Sequence, residues 1–166
     1  MMIKEHSEQL YREIMGSYPT GVTIITTLDV NNKPVGLTVN SFASVSLDPL
    51  MILWCIDKNS GSIETFKITN KFAVNILAGN QKEACWVFAS RNETDRFAKV
   101  NWELSSNDLP ILNDVFGVLE CKKVDEIDAG DHMILIGEVI NLQKNDTDPM
   151  LYFRRKVGSI REESVQ

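Results

Sequence analysis

Residues 36–49, GLTVNSFASVSLDP, alternate between two kinds of side chain over most of their length. The odd positions are apolar, namely Leu37, Val39, Ala43, Val45 and Leu47. The even positions are small and polar, namely Thr38, Asn40, Ser44 and Ser46. Alternation with a period of two is typical of a β-strand with two different faces. Ser41 and Phe42 break the pattern, which therefore predicts one long strand with a bend there, or two strands joined at the bend.

The small polar face has two interpretations. It faces solvent, or it faces a ligand that needs hydrogen bonds. Alternation alone favours solvent, because one face of an antiparallel sheet is commonly exposed.

The segments around this stretch favour a mainly β protein. Apolar and β-branched runs predict strands at 22–28, 51–56, 71–77, 115–124, 132–142 and 151–154. The unbroken apolar run at 51–56 predicts a strand buried on both faces. Short helices are predicted at 7–15, 62–68 and 80–90. Because strands do not alternate regularly with long helices, a mainly antiparallel barrel with a few short helices fits better than a doubly wound parallel sheet.

Length and composition predict one domain over residues 1–166, with 1–10 and 158–166 peripheral or flexible and a disordered tail from Arg161. The chain is 43% hydrophobic with a net charge of −6, so nucleic acid is not an expected partner. We expect no membrane span and no secretory signal. The cysteines Cys55, Cys85 and Cys121 include no CxxC pair, which favours reduced thiols in a cytoplasmic protein.

Several common catalytic motifs are missing from the sequence. The histidines are His6 and His132, and no HxxxH or CxxC pattern occurs, so no metal site is predicted. The sequence also lacks GxSxG, GxxxxGK[ST] and GxGxxG. An acid/base hydrolase has little support, since most carboxylates lie in turns or on polar faces.

Three features carry candidate chemistry: the polar row that includes Thr38, Asn40 and Ser41, the loop DKNSGS at 57–62, and FASRNETDRF at 88–97. Each feature also has a simpler explanation. The polar row can be a solvent-exposed sheet face, the loop can cap a helix, and the arginines of 88–97 can lie in solvent. Together they offer hydrogen bonds for a flat heterocycle, and hydroxyls, amides and Lys58 for a phosphate. The combination suggests a mononucleotide ligand.

The sequence resembles the short-chain NAD(P)H:flavin reductases, which are reductase components of two-component flavin-dependent monooxygenases in the FMN-binding split-barrel superfamily. The resemblance runs in the family's order over most of residues 11–156. Its most specific segments are GLTVNSFASVSLDP and AGDHMILIGEV (129–139), and the others are YPTGVTIITT (18–27), KFAVNIL (71–77), FASR…DRF (88–97), LECK (119–122) and LYFRRK (151–156).

The resemblance implies a homodimer of six-stranded antiparallel Greek-key barrels, with flavin in a groove near the subunit interface. It places Thr38, Val39, Asn40 and Ser41 at the isoalloxazine and ribityl chain, with Ser44, Val45 and Ser46 approaching the ring. It places Cys55, Ile56 and Asp57 along the ribityl path. It assigns the phosphate region to Lys58, Ser60 and Ser62, with Ser90 and Arg91 as further candidates. Tyr152, Phe153 and Arg154 match a segment near the active site.

The implied reaction is hydride transfer from NADH or NADPH to N5 of FMN, with FAD as a second candidate flavin, and reduced flavin would pass to a separate oxygenase. His132 matches a family histidine near the nicotinamide. Without the resemblance, His132 would be interpreted as a histidine at a strand start that bonds a turn carboxylate. Two other functions stay open at this point: an FMN-binding electron carrier or storage protein without rapid NAD(P)H turnover, and a barrel that binds no small ligand.

Overall fold

The computed structural model describes residues 2–159, and their side chains from residue 6 onwards. Its helices are α1 (Met2–Ser17), α2 (Ile63–Ile68) and α3 (Lys82–Ala89), with a 3₁₀ turn at Phe97–Lys99. Its strands are β1 (Thr20–Gly21), β2 (Thr23–Leu28), β3 (Pro34–Val39), β4 (Ala43–Leu47), β5 (Leu50–Asp57), β6 (Lys71–Ile76), β7 (Trp102–Leu104), β8 (Pro110–Leu112), β9 (Gly117–Ala129), β10 (His132–Lys144), β11 (Met150–Phe153) and β12 (Lys156–Ser159). No helix of this described part is long and apolar enough to cross a membrane.

The main sheet has seven strands in the order β3-β2-β6-β9-β10-β5-β4, and all neighbours are antiparallel. The strands β3 and β4 lie at opposite ends of this order, yet only residues 40–42 separate them. Those residues let the ends of β3 and β4 be at most about 14 Å apart, whereas a flat sheet of seven strands would be about 29 Å wide. The sheet must therefore curl until its two edges approach each other.

This curled sheet confirms the prediction of a mainly antiparallel barrel with short helices. The bend predicted at Ser41 and Phe42 is also confirmed, because β3 ends at Val39 and β4 begins at Ala43. The count of six strands is not confirmed, since seven strands form the main sheet. Two smaller sheets, β1-β11-β12 and β7-β8, lie beside it.

Two groups of buried side chains fill the fold. One group centres on Trp54, whose ring meets Phe66 and Phe72 edge-on at centroid distances of 5.0 and 5.7 Å. The other centres on Phe97, which meets Phe88 and Trp102 at 5.0 and 5.3 Å. Edge-on aromatic pairs fix ring orientation as well as burying area. The first group lies under β5 and α2, and the second holds α3 against the barrel.

The prediction that β5 is buried on both faces is wrong. Its side chains alternate, with Ile52, Trp54 and Ile56 buried, and with Met51, Leu53 and Cys55 only partly buried. The apolar run therefore follows a strand with one core face and one face near the surface of the single chain. An unbroken apolar run is compatible with either case, because it lacks the polar positions that would mark the outer face.

Most predicted elements are present with shifted ends. The helix predicted at 7–15 begins at Met2, and the strands predicted at 115–124 and 132–142 form the longer hairpin β9–β10. The short strands β1, β7, β8 and β12 were not predicted. Side chains 6–10 are exposed, as expected for a peripheral segment, whereas the predicted disordered tail from Arg161 lies outside the described residues.

Candidate functional site

A cleft of about 450 Å³ opens where the two edges of the curled sheet approach each other. Its walls come from the end of β3 and the link after it, the end of β5 and the loop that follows, the end of α3, and the start of β10. The cleft brings together eleven of the residues that the sequence predicts for a flavin site: Thr38, Val39, Asn40, Ser41, Cys55, Ile56, Asp57, Ser60, Ser62, Arg91 and His132.

Strand pairing explains why residues far apart in sequence share this cleft. In the β5–β10 ladder His132 lies opposite Asp57. In the β4–β5 ladder the last pair is Ala43 with Leu53. Continuing that register by two residues would place Ser41 opposite Cys55, at the mouth of the cleft.

Ser41 does lie there, but its side chain replaces its backbone in the contact. The Ser41 hydroxyl donates to the Cys55 carbonyl and accepts from the Cys55 amide, both at 3.0 Å. This pair of bonds prolongs the ladder beyond the bend and fixes the link between β3 and β4. Burial raises the pKa of the Cys55 thiol, while the hydrogen bond with Ser41 acts in the opposite direction.

The polar face of β3 is directed at α3. The Thr38 hydroxyl donates to the Cys85 carbonyl at 2.7 Å. At Gly36 an added Cβ would lie 2.9 Å from the Phe88 ring, so the absence of a side chain allows the helix to approach this closely. Much of the polar row is therefore engaged by the protein backbone.

The loop DKNSGS follows β5 along the cleft. The Asp57 carboxylate accepts the Asn59 amide at 2.7 Å, which turns the chain. The Ser60 hydroxyl accepts the Ser62 amide at 3.3 Å. Ser62 precedes α2 but makes no side-chain capping bond, so its hydroxyl can serve a ligand in the cleft. The predicted helix is short, at six residues.

Two arginines border the cleft on the side of α3. Arg91 is 82% exposed, and its guanidinium lies 3.6 Å from the Asp57 carboxylate across the cleft. Arg96 donates to the carbonyls of Gly36 and Ser90, both at 2.7 Å. The buried Nε of Arg96 has no partner among the described residues, and burial lowers the pKa of this guanidinium, an effect that the nearby Glu93 opposes. Both arginines line the cleft, and their positive charge suits an anionic group there.

His132 borders the cleft, and a neighbouring carboxylate fixes its imidazole ring. Its Nδ1 is hydrogen-bonded to the Asp131 carboxylate at 2.7 Å, and this bond holds the pKa of Asp131 below its usual value. The structure thus contains both features considered from sequence: His132 bonds a turn carboxylate, and it also borders the cleft.

Lys58 does not border the cleft. Its ammonium donates to the Gly130 carbonyl at 2.6 Å and lies 2.7 Å from the Asp128 carboxylate. Asp128 lies near the end of β9, and Gly130 lies in the turn between β9 and β10. The predicted contact of Lys58 with a phosphate finds no support in this orientation.

Five other predicted site residues are also not part of the cleft wall. Ser44, Val45 and Ser46 lie on β4, where the Ser46 hydroxyl accepts the Asp48 amide. Ser90 follows α3, and its hydroxyl accepts the Asn92 amide. Phe153 lies on β11 beneath the Arg154 guanidinium, which is 5.0 Å from the ring centroid. Their contacts with flavin remain predictions.

Sequence reasoning missed part of the cleft wall. The additional wall residues are Leu37, Asn59, Gly61, Phe88, Ala89 and Arg96. All of them lie inside the three segments singled out from sequence, so taking those segments whole would have found them. Their apolar members, Leu37, Phe88 and Ala89, add non-polar surface to the wall. A smaller neighbouring pocket of about 200 Å³ shares Thr38, Val39 and Asn40 with the cleft and extends to Tyr152.

Taken together, the cleft wall combines apolar side chains with hydroxyls, amides and guanidinium groups. Such a combination matches a ligand with a flat ring system and a phosphate. Its residues therefore fit a flavin mononucleotide by their chemistry.

Comparisons with known proteins agree with this chemistry. The chain is 39% identical to a flavin reductase of Pseudomonas putida over 147 residues, which cover 89% of this chain and 86% of the relative. It is 42% identical to the reductase component of the flavin-dependent trigonelline monooxygenase of Acinetobacter baylyi, over 86% of this chain. Among solved structures, the NADH:FAD oxidoreductase SgcE6 of Streptomyces globisporus, in complex with NAD and FAD fragments, has a TM-score of 0.88 at 31% identity and covers 96% of both chains.

The chain spans about half the length of some curated relatives that it matches, including 46% of the trigonelline reductase component. The family described as the flavin reductase like domain matches residues 15–161 of this chain. That match covers nearly all of the barrel and the whole cleft, and we conclude that the chain belongs to the flavin reductase like domain family.

Proposed function

We propose that this protein is an NAD(P)H:flavin oxidoreductase that reduces FMN or FAD and supplies the reduced flavin to a separate monooxygenase. The observation that carries the proposal is the cleft at the sheet edges, where apolar walls, hydroxyl groups, Arg91 and His132 meet. The relatives' names, which include an NADH-dependent flavin reductase and a monooxygenase reductase component, support the same activity.

In this proposal a flavin held in the cleft would supply the redox chemistry of hydride transfer. The protein binds the flavin and orients it. Leu37, Val39 and Phe88 offer apolar surface for the ring system, and the backbone beside Asn40 offers hydrogen bonds to its polar edge. The hydroxyls of Ser60 and Ser62 and the Arg91 guanidinium offer donors for the phosphate.

In this proposal Asp57 competes with the phosphate for Arg91. Its carboxylate pairs with Arg91 at 3.6 Å, and a phosphate entering between them would compete for the guanidinium. Because Arg91 is mostly exposed, its side chain can turn toward the phosphate at small cost.

His132 is proposed to position the nicotinamide. Asp131 holds Nδ1, which leaves Nε2 to contact the second nucleotide. No general acid or base is required for hydride transfer, so His132 acts by orientation and by hydrogen bonding.

A homodimer is part of the proposal. The β4–β5 hairpin carries Val45 at 49%, Leu47 at 88% and Leu50 at 41% exposure. Adjacent exposed apolar side chains of this kind mark association surfaces. Sedimentation of the purified protein tests it, since a monomer at micromolar concentration would contradict a stable dimer. A cytoplasmic location is also proposed, because the three cysteines are free thiols.

Steady-state kinetics test the activity directly. Purified protein is assayed with NADH or NADPH and with FMN or FAD, following nicotinamide absorbance. Turnover with a flavin-dependent rate supports the proposal. Tight flavin binding without nicotinamide oxidation would instead indicate an electron carrier, and no quenching of FMN fluorescence would remove a flavin function altogether.

His132→Ala tests the assignment within the site. We expect the KM for NADH to rise about tenfold, because one or two hydrogen bonds to the nicotinamide would be lost. The Kd for FMN should stay within about twofold. The matched control is His6→Ala, since His6 is exposed on α1. Loss of FMN binding in the His132 variant would show that His132 has been given the wrong role.

A further inference from the structure

The Lys58 side chain makes a set of contacts that the proposed function leaves unused. Its ammonium reaches the Gly130 carbonyl at 2.6 Å and the Asp128 carboxylate at 2.7 Å. Its backbone amide donates to the Asp131 carbonyl at 3.0 Å. Lys58, the first residue after β5, therefore holds both the end of β9, at Asp128, and the turn that follows it, at Gly130 and Asp131.

The turn between β9 and β10 is exposed and has few contacts outside its own hairpin. Asp128, Gly130 and Asp131 are exposed, and Gly130 adopts a left-handed conformation with φ of +64°. Among the described residues, the hydrogen bonds and ion pairs that join Asp128, Gly130 and Asp131 to residues outside the hairpin are those made by Lys58. Exposed turns with few contacts open easily on their own.

The turn carries the group that orients His132. Asp131 binds Nδ1 of the imidazole, and its own carbonyl is held by Lys58. Movement of the turn would therefore move the carboxylate that sets the tautomer and direction of the ring. His132 borders the cleft, whereas Lys58 does not.

We infer that Lys58 is a positioning residue, which braces the β9–β10 turn so that the Asp131–His132 pair presents its imidazole to the nicotinamide. Two of the three ammonium hydrogens are already engaged by Asp128 and Gly130, so a flavin phosphate is not its main partner. This inference rests on the proposed function, and it changes the role that the sequence suggests for Lys58.

The test compares Lys58→Met, which keeps the aliphatic stem, with Lys58→Arg, which keeps the charge. Asp128→Asn removes one partner of the brace. Lys67→Met is the matched control, because Lys67 is an exposed lysine that pairs with Glu64 on α2, away from the cleft.

Three measurements separate a brace from a phosphate ligand. Hydrogen exchange of peptides covering 126–134 should become faster in Lys58→Met and Asp128→Asn, and stay at the wild-type rate in Lys58→Arg and Lys67→Met. The KM for NADH should rise about threefold to tenfold in Lys58→Met with kcat within about twofold, as expected for one partly exposed charged contact. The Kd values of FMN and of riboflavin should both stay within about twofold.

The opposite pattern would overturn the inference. If Lys58→Met weakens FMN but not riboflavin, and exchange in the turn is unchanged, Lys58 binds the phosphate. If hydrogen exchange, the KM for NADH and the Kd for FMN are all unchanged in Lys58→Met, the inference that Lys58 braces the turn is also wrong. If the wild-type protein shows no flavin-dependent NADH oxidation, the proposed function fails, and the exchange data still decide whether Lys58 holds the turn.

Discussion

The clearest test of how this barrel closes is Ser41→Ala. The Ser41 hydroxyl makes two hydrogen bonds of 3.0 Å to the backbone of Cys55. The substitution leaves the Cys55 amide and carbonyl without partners in the protein, at the point where the β4–β5 ladder has already ended.

The structure sets the size of the effect. An unsatisfied buried backbone group costs about 1–3 kcal/mol. Cys55 is only partly buried, so water can reach the vacated groups and the cost per group falls to the lower end. For the amide and the carbonyl together we expect a loss of about 2 kcal/mol in the free energy of unfolding.

Urea unfolding without flavin measures this loss, followed by tryptophan fluorescence because Trp54 is fully buried. For an m-value near 2 kcal/mol/M, the midpoint should fall by about 1 M. Ser44→Ala is the matched control, since the Ser44 side chain is exposed on β4. If the two variants unfold within about 0.3 M of each other, the Ser41 bonds do not close the barrel.

Two further predictions concern the interior. Gly137→Ala should destabilise the protein by about 1–3 kcal/mol in the same urea assay, because the new Cβ would lie 2.6 Å from the Phe72 ring; Gly16→Ala, with nothing within 4 Å of its Cβ, should not, and equal midpoints would show that the core adapts. Burial raises the pKa of Cys85 to about 11 and of Cys121 to about 12, so at pH 8 only about one Cys85 thiol in a thousand is ionised. Both should react with a thiol reagent mainly after unfolding, and faster labelling above pH 10 should begin with Cys85. Rapid labelling of either at pH 8 in the folded protein would contradict this burial.

The sequence predicted those parts of the fold that depend on local pattern. The alternation around Ser41 and Phe42 located β3, β4 and the bend between them, because a two-residue period needs no knowledge of the rest of the chain. The small β7–β8 hairpin was missed. Its strands have three residues each, and Pro110 at the start of β8 weakens the pattern.

Contacts over long sequence separations could not be predicted in the same way. The bond from Thr38 to Cys85 spans 47 positions, and the bond from Arg96 to Gly36 spans 60. A polar side chain on a strand has the same pattern whether it meets solvent, ligand or a neighbouring helix. Lys58 shows the limit most clearly, since its partner Gly130 lies 72 positions away and its role follows from that contact.

The link at residues 40–42 joins stability to binding, because it both closes the sheet and borders the cleft. A variant that loosens this link lowers the fraction of molecules with a formed cleft, and the apparent affinity falls by the same fraction without loss of any ligand contact. Weaker flavin binding in Ser41→Ala would therefore not by itself make Ser41 a flavin ligand. A loosened cleft weakens the binding of FMN and riboflavin equally. Loss of a phosphate contact, the role proposed for Ser62 and Arg91, would weaken the binding of FMN alone. The ratio of the two affinities, measured for each variant, thus distinguishes residues that shape the cleft from residues that hold the phosphate.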